Sequence, residues 1–458
     1  MITPRITELE HWDAVAPRFR CIADLPWPAW LDSSSPLAGA RYDVLVADPC
    51  ITLRTRGSVT EIARRDGSAA ESTRAPFELV REALGSPCAS VQGLPFFGGA
   101  LGYVSYDLGR RFERIPALAQ ADIDMPELAI GIYDWAVIVD RVDRRTWLAG
   151  LGRDPLTFAR WAQLVERLHT KASKEPAPFR VLSRPSAGVS REEYAAAFAR
   201  VQHHIRRGDC YQVNLTQRFT ARADGDAWHA YLRLREVNPA PFAAFLDFPD
   251  GKVLSSSPER FLRVDGRRVE TKPIKGTRPR AADAVRDRAL TEELRGSVKD
   301  RAENVMIVDL LRNDLGKSCE PGSVRVTKLF DVESYATVHQ LVSTIEGHLA
   351  PGKHALDVLA GCFPGGSITG APKVAAMRII EELEPQRRSV YCGCIGYVGY
   401  DGNMDTNIAI RTLVQHREHV YTWAGGGVVA DSNVDAEYQE SFDKAAALLA
   451  VLEPTASS

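Results

Sequence analysis

The sequence predicts an α+β fold, and three observations carry that prediction. Residues 242–272 hold four strand-like runs separated at Asp-Gly pairs. Helical periodicity appears elsewhere, after Ser190 and near 298–314, 371–384 and 435–452. The two kinds of element do not alternate as regular βαβ units, which disfavours a doubly wound parallel sheet.

Taken in chain order, GIYDWAVIVDR at 131–141 reads as one strand. Residues 171–190, KASKEPAPFRVLSRPSAGVS, are polar with three prolines and read as a connector. A helix then begins at Ser190, whose hydroxyl and Glu193 form a capping-box pattern. Tyr194, Phe198, Val201 and Ile205 lie on one face of it, and Gly208 ends it. FAAFLDF, KVLSS, RFLRV and RRVET follow as a predicted β-meander, turning at Asp250-Gly251 and Asp265-Gly266. No repeat of 20–50 residues is evident.

Composition excludes several classes. The 458 residues are 45% hydrophobic and 25% charged, with a net charge of −2. That is a globular mix with no overall attraction to nucleic acid or an anionic membrane. No run of about 18 apolar residues predicts a membrane span. The start, MITPRITELEHWDAVAPRF, lacks the apolar core of a signal peptide. The expectation is a cytoplasmic protein whose eight scattered cysteines stay reduced.

Three stretches carry candidate chemistry. Asp300 and Glu303 share one helix face, as do Glu437 and Glu440, with Lys444 one turn further on. Such pairs are more often solvated acidic faces. Two of them together can form an all-oxygen site for Mg²⁺, which takes one or two carboxylates plus waters and an anionic ligand. Gly425, Gly426 and Gly427 offer either a tight turn or backbone N–H groups for a carboxylate. FPGGSITGAPK at 363–373 lacks the Lys-Ser/Thr ending of a phosphate loop, so nucleotide binding is not expected.

The third stretch is TKPIKGTRPR at 271–280. With Asp265-Gly266 as the two central turn residues, Glu259 faces Lys272 across the hairpin and Lys275 lies at the same open end. A buried Glu can act as a general acid, and a desolvated or cation-crowded lysine becomes nucleophilic near neutral pH. Lys272, Arg278 and Arg280 are the expected crowding cations. A plain surface ion pair is the alternative on the residues alone.

At this point the sequence resembles the chorismate-utilising enzymes. The resemblance rests on CYQVNLTQRF at 210–219, SSSPERFL at 255–262, PIKGTRPR, KDRAENVMIVDLLRND, GGSITGAPK, GYVGY at 396–400, AIRTLV at 409–414, AGGG and EYQESFDKA. The first half is similar to the aminodeoxychorismate-forming branch of that family through LPWPAWLDSS at 25–34, RYDVLVADP at 41–49, PFFGGALGYVSYDLGRRFE at 95–113 and GIYDWAVIVD. The resemblance implies two large β-sheets packed face to face (orthogonally), with helices outside in four layers, α/β/β/α. It divides the chain into an N-terminal region (1–170), the connector (171–189) and a chorismate-binding catalytic region (190–455), packed as one unit.

The resemblance also implies a chemistry. Hydrating members place a lysine where this chain has Gln212, and anthranilate-forming members place an alanine where it has Lys275. The implied reaction is amination of chorismate to aminodeoxychorismate, with anthranilate formation as the alternative. Lys275 would be the nucleophile and Glu259 the acid. Glu303 and Glu440 would hold Mg²⁺ directly, Asp300 and Glu437 largely through water. Gln212, Thr277, His339, Thr369, Tyr391, Arg411, Lys444 and the Gly425–Gly427 amides would bind substrate. Ammonia would come from a separate glutamine amidotransferase subunit, and a separate lyase would act next. A tryptophan site is implied at Leu31, Asp32 and Ser33, where the family signature Leu-Leu-Glu-Ser reads Trp30-Leu31-Asp32-Ser33.

Overall fold

The computed structural model describes residues 3–33, 40–170, 176–335 and 338–454. Ser34, residues 171–175 of the expected connector and Thr455 lie outside them. Among the described residues two antiparallel sheets, of 13 and 12 strands, form the centre of the molecule. Both halves of the chain contribute to each sheet. Ala29–Asp32 pairs with Phe242–Phe248, placing Trp30 opposite Phe245. Gly99–Val104 pairs with Cys394–Gly399, placing Leu101 opposite Tyr397.

Burial on both faces explains the unbroken apolar runs. In Trp135–Asp140, Ala136 and Ile138 point between the sheets. Trp135, Val137 and Val139 point outward, against helices. The layer between the sheets is filled by Val44, Leu246 and Val253 from one and Leu53, Leu101, Leu262 and Val264 from the other. The outer face of the first sheet packs Trp30 and Phe245 on Phe19, Trp228 and Tyr231. The Phe19 and Trp228 rings stack 5.2 Å apart. Each such buried side chain stabilises the fold by about 1.5–3 kcal/mol before entropy is subtracted.

Two expected elements prove to be sheet crossings. GIYDWAVIVDR is not one strand: Leu128–Tyr133 belongs to the second sheet and Trp135–Asp140 to the first. Asp134 makes the corner, its buried carboxylate accepting the N–H groups of Arg153 (3.0 Å) and Asp154 (2.9 Å). The expected meander likewise divides. Phe242–Phe248 and Gly251–Ser257 lie in the first sheet, while Arg260–Asp265 and Arg268–Thr271 lie in the second. Pro258 and Glu259 carry the chain across.

The hairpin register also differs from expectation. Asp265 pairs with Arg268, so the central turn residues are Gly266 and Arg267. Gly266 has φ +56°, the left-handed conformation such a turn needs. The shift brings Glu259 level with Ile274, not Lys272. Lys272 instead donates to Glu333 at 2.5 Å.

The helix Arg191–Arg207 forms with both hydrogen bonds of its capping box, and Gly208 ends it at φ +80°. Arg180–Val181 and Ser186–Ala187, within the expected connector, each add a short pairing to the strand Gln212–Asp224. The acidic helices run over Val298–Gly316 and Val434–Val451.

Candidate active site

Glu259 sits where the chain leaves one sheet for the other, 6% exposed. Burial pushes its pKa up to about 7, against the opposing effects of the neighbouring Ser367, Lys275 and Ile274 N–H. Lys275, on the strand Ile274–Pro279, donates from Nζ to the Ser367 carbonyl at 3.2 Å. Burial lowers its pKa; Glu303 opposes that, Lys444 adds to it, and Glu259 and Glu440 oppose it. Both groups are therefore pushed toward their neutral forms, an acid that can donate and an amine that can attack.

The flanking cations do not crowd Lys275. Lys272 is taken by Glu333, Arg278 by Glu293 (2.7 Å) and Asp300 (3.2 Å), and Arg280 by Asp287 (2.9 Å). Desolvation and Lys444 replace them as causes of the lowered pKa. Ser367 is the residue the sequence reading missed. It lies inside the quoted GGSITGAPK motif, but nothing in that string shows that it reaches both Glu259 and Lys275.

Carboxylates enter from the two acidic helices. Burial raises the pKa of Glu303, and Asp300 and Glu440 add smaller upward effects against the pull of Lys275 and Lys299. Burial raises Glu437 too, with Glu440 adding to it. One Glu437 oxygen accepts the Ser432 hydroxyl at 2.7 Å; the other, Oε2, is buried with no hydrogen-bond partner. Asp300 is held by Arg278, and Glu440 by Lys444 at 2.5 Å. Among the described residues no three His, Cys, Asp or Glu side chains close into a ready-made metal-binding group.

Gly425, Gly426 and Gly427 lie within the strand His419–Val428 and pair with Thr216, Leu215 and Asn214, so they are not a turn. A Cβ on Gly426 would stand 2.7 Å from Glu437 Oε2 and 3.2 Å from Glu440 Oε1. Glycine there lets the carboxylates approach the strand. A Cβ on Gly427 would stand 2.7 Å from Gln212 Nε2. Gln212 is fully buried, and both atoms of its amide lack a partner.

The other expected residues divide. Lys444 also donates to the Gly425 carbonyl at 3.1 Å, and Arg411 donates to the Lys444 carbonyl at 2.6 Å. Tyr391 is buried and stacks on Trp423 at 5.9 Å. The buried Thr369 hydroxyl donates to the Gly365 carbonyl at 3.0 Å. Thr277 is exposed beside Arg278. His339 is committed elsewhere: Nε2 meets Asp287 at 3.0 Å and Nδ1 meets the Ser334 hydroxyl at 2.8 Å.

Leu31, Asp32 and Ser33 border a separate cavity of about 770 Å³, also lined by Tyr42, Phe242 and Arg260. Asp32 is occupied, accepting from the Tyr231 hydroxyl (2.8 Å) and Arg235 (2.5 Å). The Ser33 hydroxyl donates to the Tyr42 carbonyl at 2.7 Å.

Fold and site together define an α+β enzyme built around a buried carboxyl beside a half-buried amine, with acids from two helices facing them. The chain belongs to the family described as chorismate binding enzyme, whose pattern matches residues 40–450. It is 48% identical over 460 residues to aminodeoxychorismate synthase component 1 of Klebsiella aerogenes, covering 99% of this chain and 100% of that one. Anthranilate synthase component 1 of Thermus thermophilus is 43% identical over 386 residues, 83% of each chain. Among solved structures, anthranilate synthase component I from Streptococcus pneumoniae superposes with a TM-score of 0.79 at 31% identity, covering 90% of this chain and 93% of that one.

Proposed function

We propose that this enzyme aminates chorismate with ammonia to 4-amino-4-deoxychorismate, through a covalent intermediate on Lys275. The observation that carries the reading is Lys275 itself, a half-buried amine held by the Ser367 carbonyl and placed beside the acid Glu259. The aminodeoxychorismate synthase relative, matched along its whole length, supports it.

In the first step the neutral Lys275 amine forms a bond to C2, and both double bonds of the ring diene shift toward C4. The C4 hydroxyl leaves as water with the proton of Glu259. Ammonia then bonds to C4, the shift reverses and the C2–Nζ bond breaks. The Glu259 carboxylate takes back the proton that ammonia sheds. Dividing one substitution into two lets a positioned amine do what free ammonia does slowly.

Mg²⁺ fits the acids present. The orphaned Glu437 oxygen and the raised pKa values of Glu303 and Glu437 mark carboxylates short of positive partners. Glu303 and Glu440 would hold the ion, with Asp300 and Glu437 behind them. The ion would supply positive charge against the substrate's carboxylates.

The ammonia source in this reading is a separate glutamine amidotransferase subunit, in keeping with the relative's designation as a component 1. A lyase would act on the product to give p-aminobenzoate for folate, in the cytoplasm. No described helix is long and apolar enough to cross a membrane, and neither nucleic acid nor membrane enters the proposal. The cavity at Leu31, Asp32 and Ser33 would hold tryptophan.

One experiment tests the reaction. The purified chain is incubated with chorismate, Mg²⁺ and ammonium, and aminodeoxychorismate lyase is added. p-Aminobenzoate is the expected product. Anthranilate in its place would overturn the proposal.

A further inference from the structure

Arg388 is 1% exposed and makes four hydrogen bonds across three segments. Nε and Nη2 bind the two oxygens of Glu384 at 2.8 and 2.6 Å. Nη1 donates to the Ile368 carbonyl at 2.9 Å, and Nη2 to the Asn214 carbonyl at 2.6 Å. Glu384 in turn accepts the Thr216 N–H (2.9 Å) and hydroxyl (2.8 Å). The guanidinium also lies over the Tyr106 ring, 4.9 Å from its centroid.

A buried ion pair of this kind seldom stabilises a fold more than apolar side chains of equal volume would. What it supplies is direction, since a planar fork fixes several acceptors at once. Here two of those acceptors are main-chain carbonyls. One belongs to Ile368, the neighbour of Ser367. The other belongs to Asn214, whose N–H also bonds the Thr369 carbonyl at 2.9 Å. The segment 365–370 is thereby pinned to the strand Gln212–Asp224 at two successive carbonyls, those of Ile368 and Thr369, immediately after Ser367. The carbonyl of Arg388 itself accepts the Tyr391 N–H at 3.1 Å.

We infer that Arg388 is a positioning residue for the reaction proposed above: it holds Ile368 and Asn214, and so sets where Ser367 meets Glu259 and Lys275. It touches none of the reacting groups itself. The inference rests on the amination reading for its kinetic consequence, but its structural content stands apart from that reading.

A double-mutant cycle with Arg388→Lys and Lys275→Ala tests it. Lysine keeps the charge and loses the fork. Because sub-ångström misplacement of a reacting group is costly, Arg388→Lys is expected to lower kcat at least about tenfold with KM within about twofold. In the Lys275→Ala background the same change should alter the residual kcat by less than about twofold, since the amine that the Ser367 carbonyl holds is gone. An equal factor in both backgrounds, or an effect on KM alone, would overturn the inference. Hydrogen exchange over residues 365–370 gives a second readout: it should quicken in Arg388→Lys, and unchanged exchange also overturns the idea. That readout holds even if the wild-type chain aminates no chorismate, which would sink the proposed reaction and leave this inference standing. If lysine prevents folding, the paired change Arg388→Met with Glu384→Gln removes both charges together and serves in the same cycle.

Discussion

Lys275 Nζ lies 3.2 Å from the Ser367 carbonyl oxygen, and that same serine sits beside Glu259, where it favours the charged carboxylate against burial. One residue thus joins the amine to the acid. The nucleophile arrives on a strand of one sheet, the acid sits at the crossing between sheets, and the serine comes from a loop about 90 residues further along.

Lys275→Ala is expected to lower aminodeoxychorismate formation by at least about a hundredfold, because the Lys275 amine opens the two-step route. Wild-type protein given chorismate and Mg²⁺ without ammonia should gain mass at Lys275. Intact-protein mass spectrometry showing no adduct, together with full activity of the variant, would refute the covalent role.

Glu259 must be protonated to act as the acid, so the rate should fall as pH rises through about 7. The same shift has a stability consequence. The folded-state pKa is raised above the ordinary 4.5 to about 7, so burial costs nothing below about 4.5 and the cost grows as pH rises through 7. Glu259→Gln should therefore gain stability relative to wild type between pH 5 and pH 8, by up to about 3 kcal/mol. Urea melts at the two pH values check it; an equal difference at both would contradict the shift.

Gly426→Ala should weaken Mg²⁺ binding about tenfold or more, since misplaced ligands lose metal affinity on that scale. The added Cβ would stand 2.7 Å from Glu437 Oε2. Titration calorimetry with MgCl₂ on folded variant and wild type makes the comparison. Unaltered affinity would show that these acids do not serve the ion.

Asp32→Ala should destabilise the chain by about 1–3 kcal/mol, because it leaves the buried Tyr231 hydroxyl and the half-buried Arg235 without their acceptor. Asp32 is fully enclosed against Arg235 and Tyr231. Denaturant unfolding measures the loss. A change below about 1 kcal/mol would mean that Arg235 finds another partner.

Much of this was legible beforehand. The Ser190–Glu193 cap and the face of Tyr194, Phe198, Val201 and Ile205 depend only on local spacing, and they formed as read. The acidic pairs follow from helical geometry in the same way. The registers were harder. Asp-Gly marks a turn but not which residues occupy its centre, and a shift of one position moved Glu259 from Lys272 to Ile274. His339 matches a substrate-binding position by resemblance, yet Asp287 and Ser334 take its ring nitrogens.

The sequence alone determined the fold class, the family and the residue types that could react, because these rest on periodicity, capping and motifs read along one chain. Only the tertiary structure decided that two apparent single-sheet segments cross between sheets, at Asp134 and Glu259. Only it showed that burial and Lys444, not Lys272, Arg278 and Arg280, lower the pKa of Lys275. The physical reason is the same in each case. A pKa and a hydrogen bond depend on what long-range packing brings near and what water it excludes, and neither is written in the neighbours along the chain.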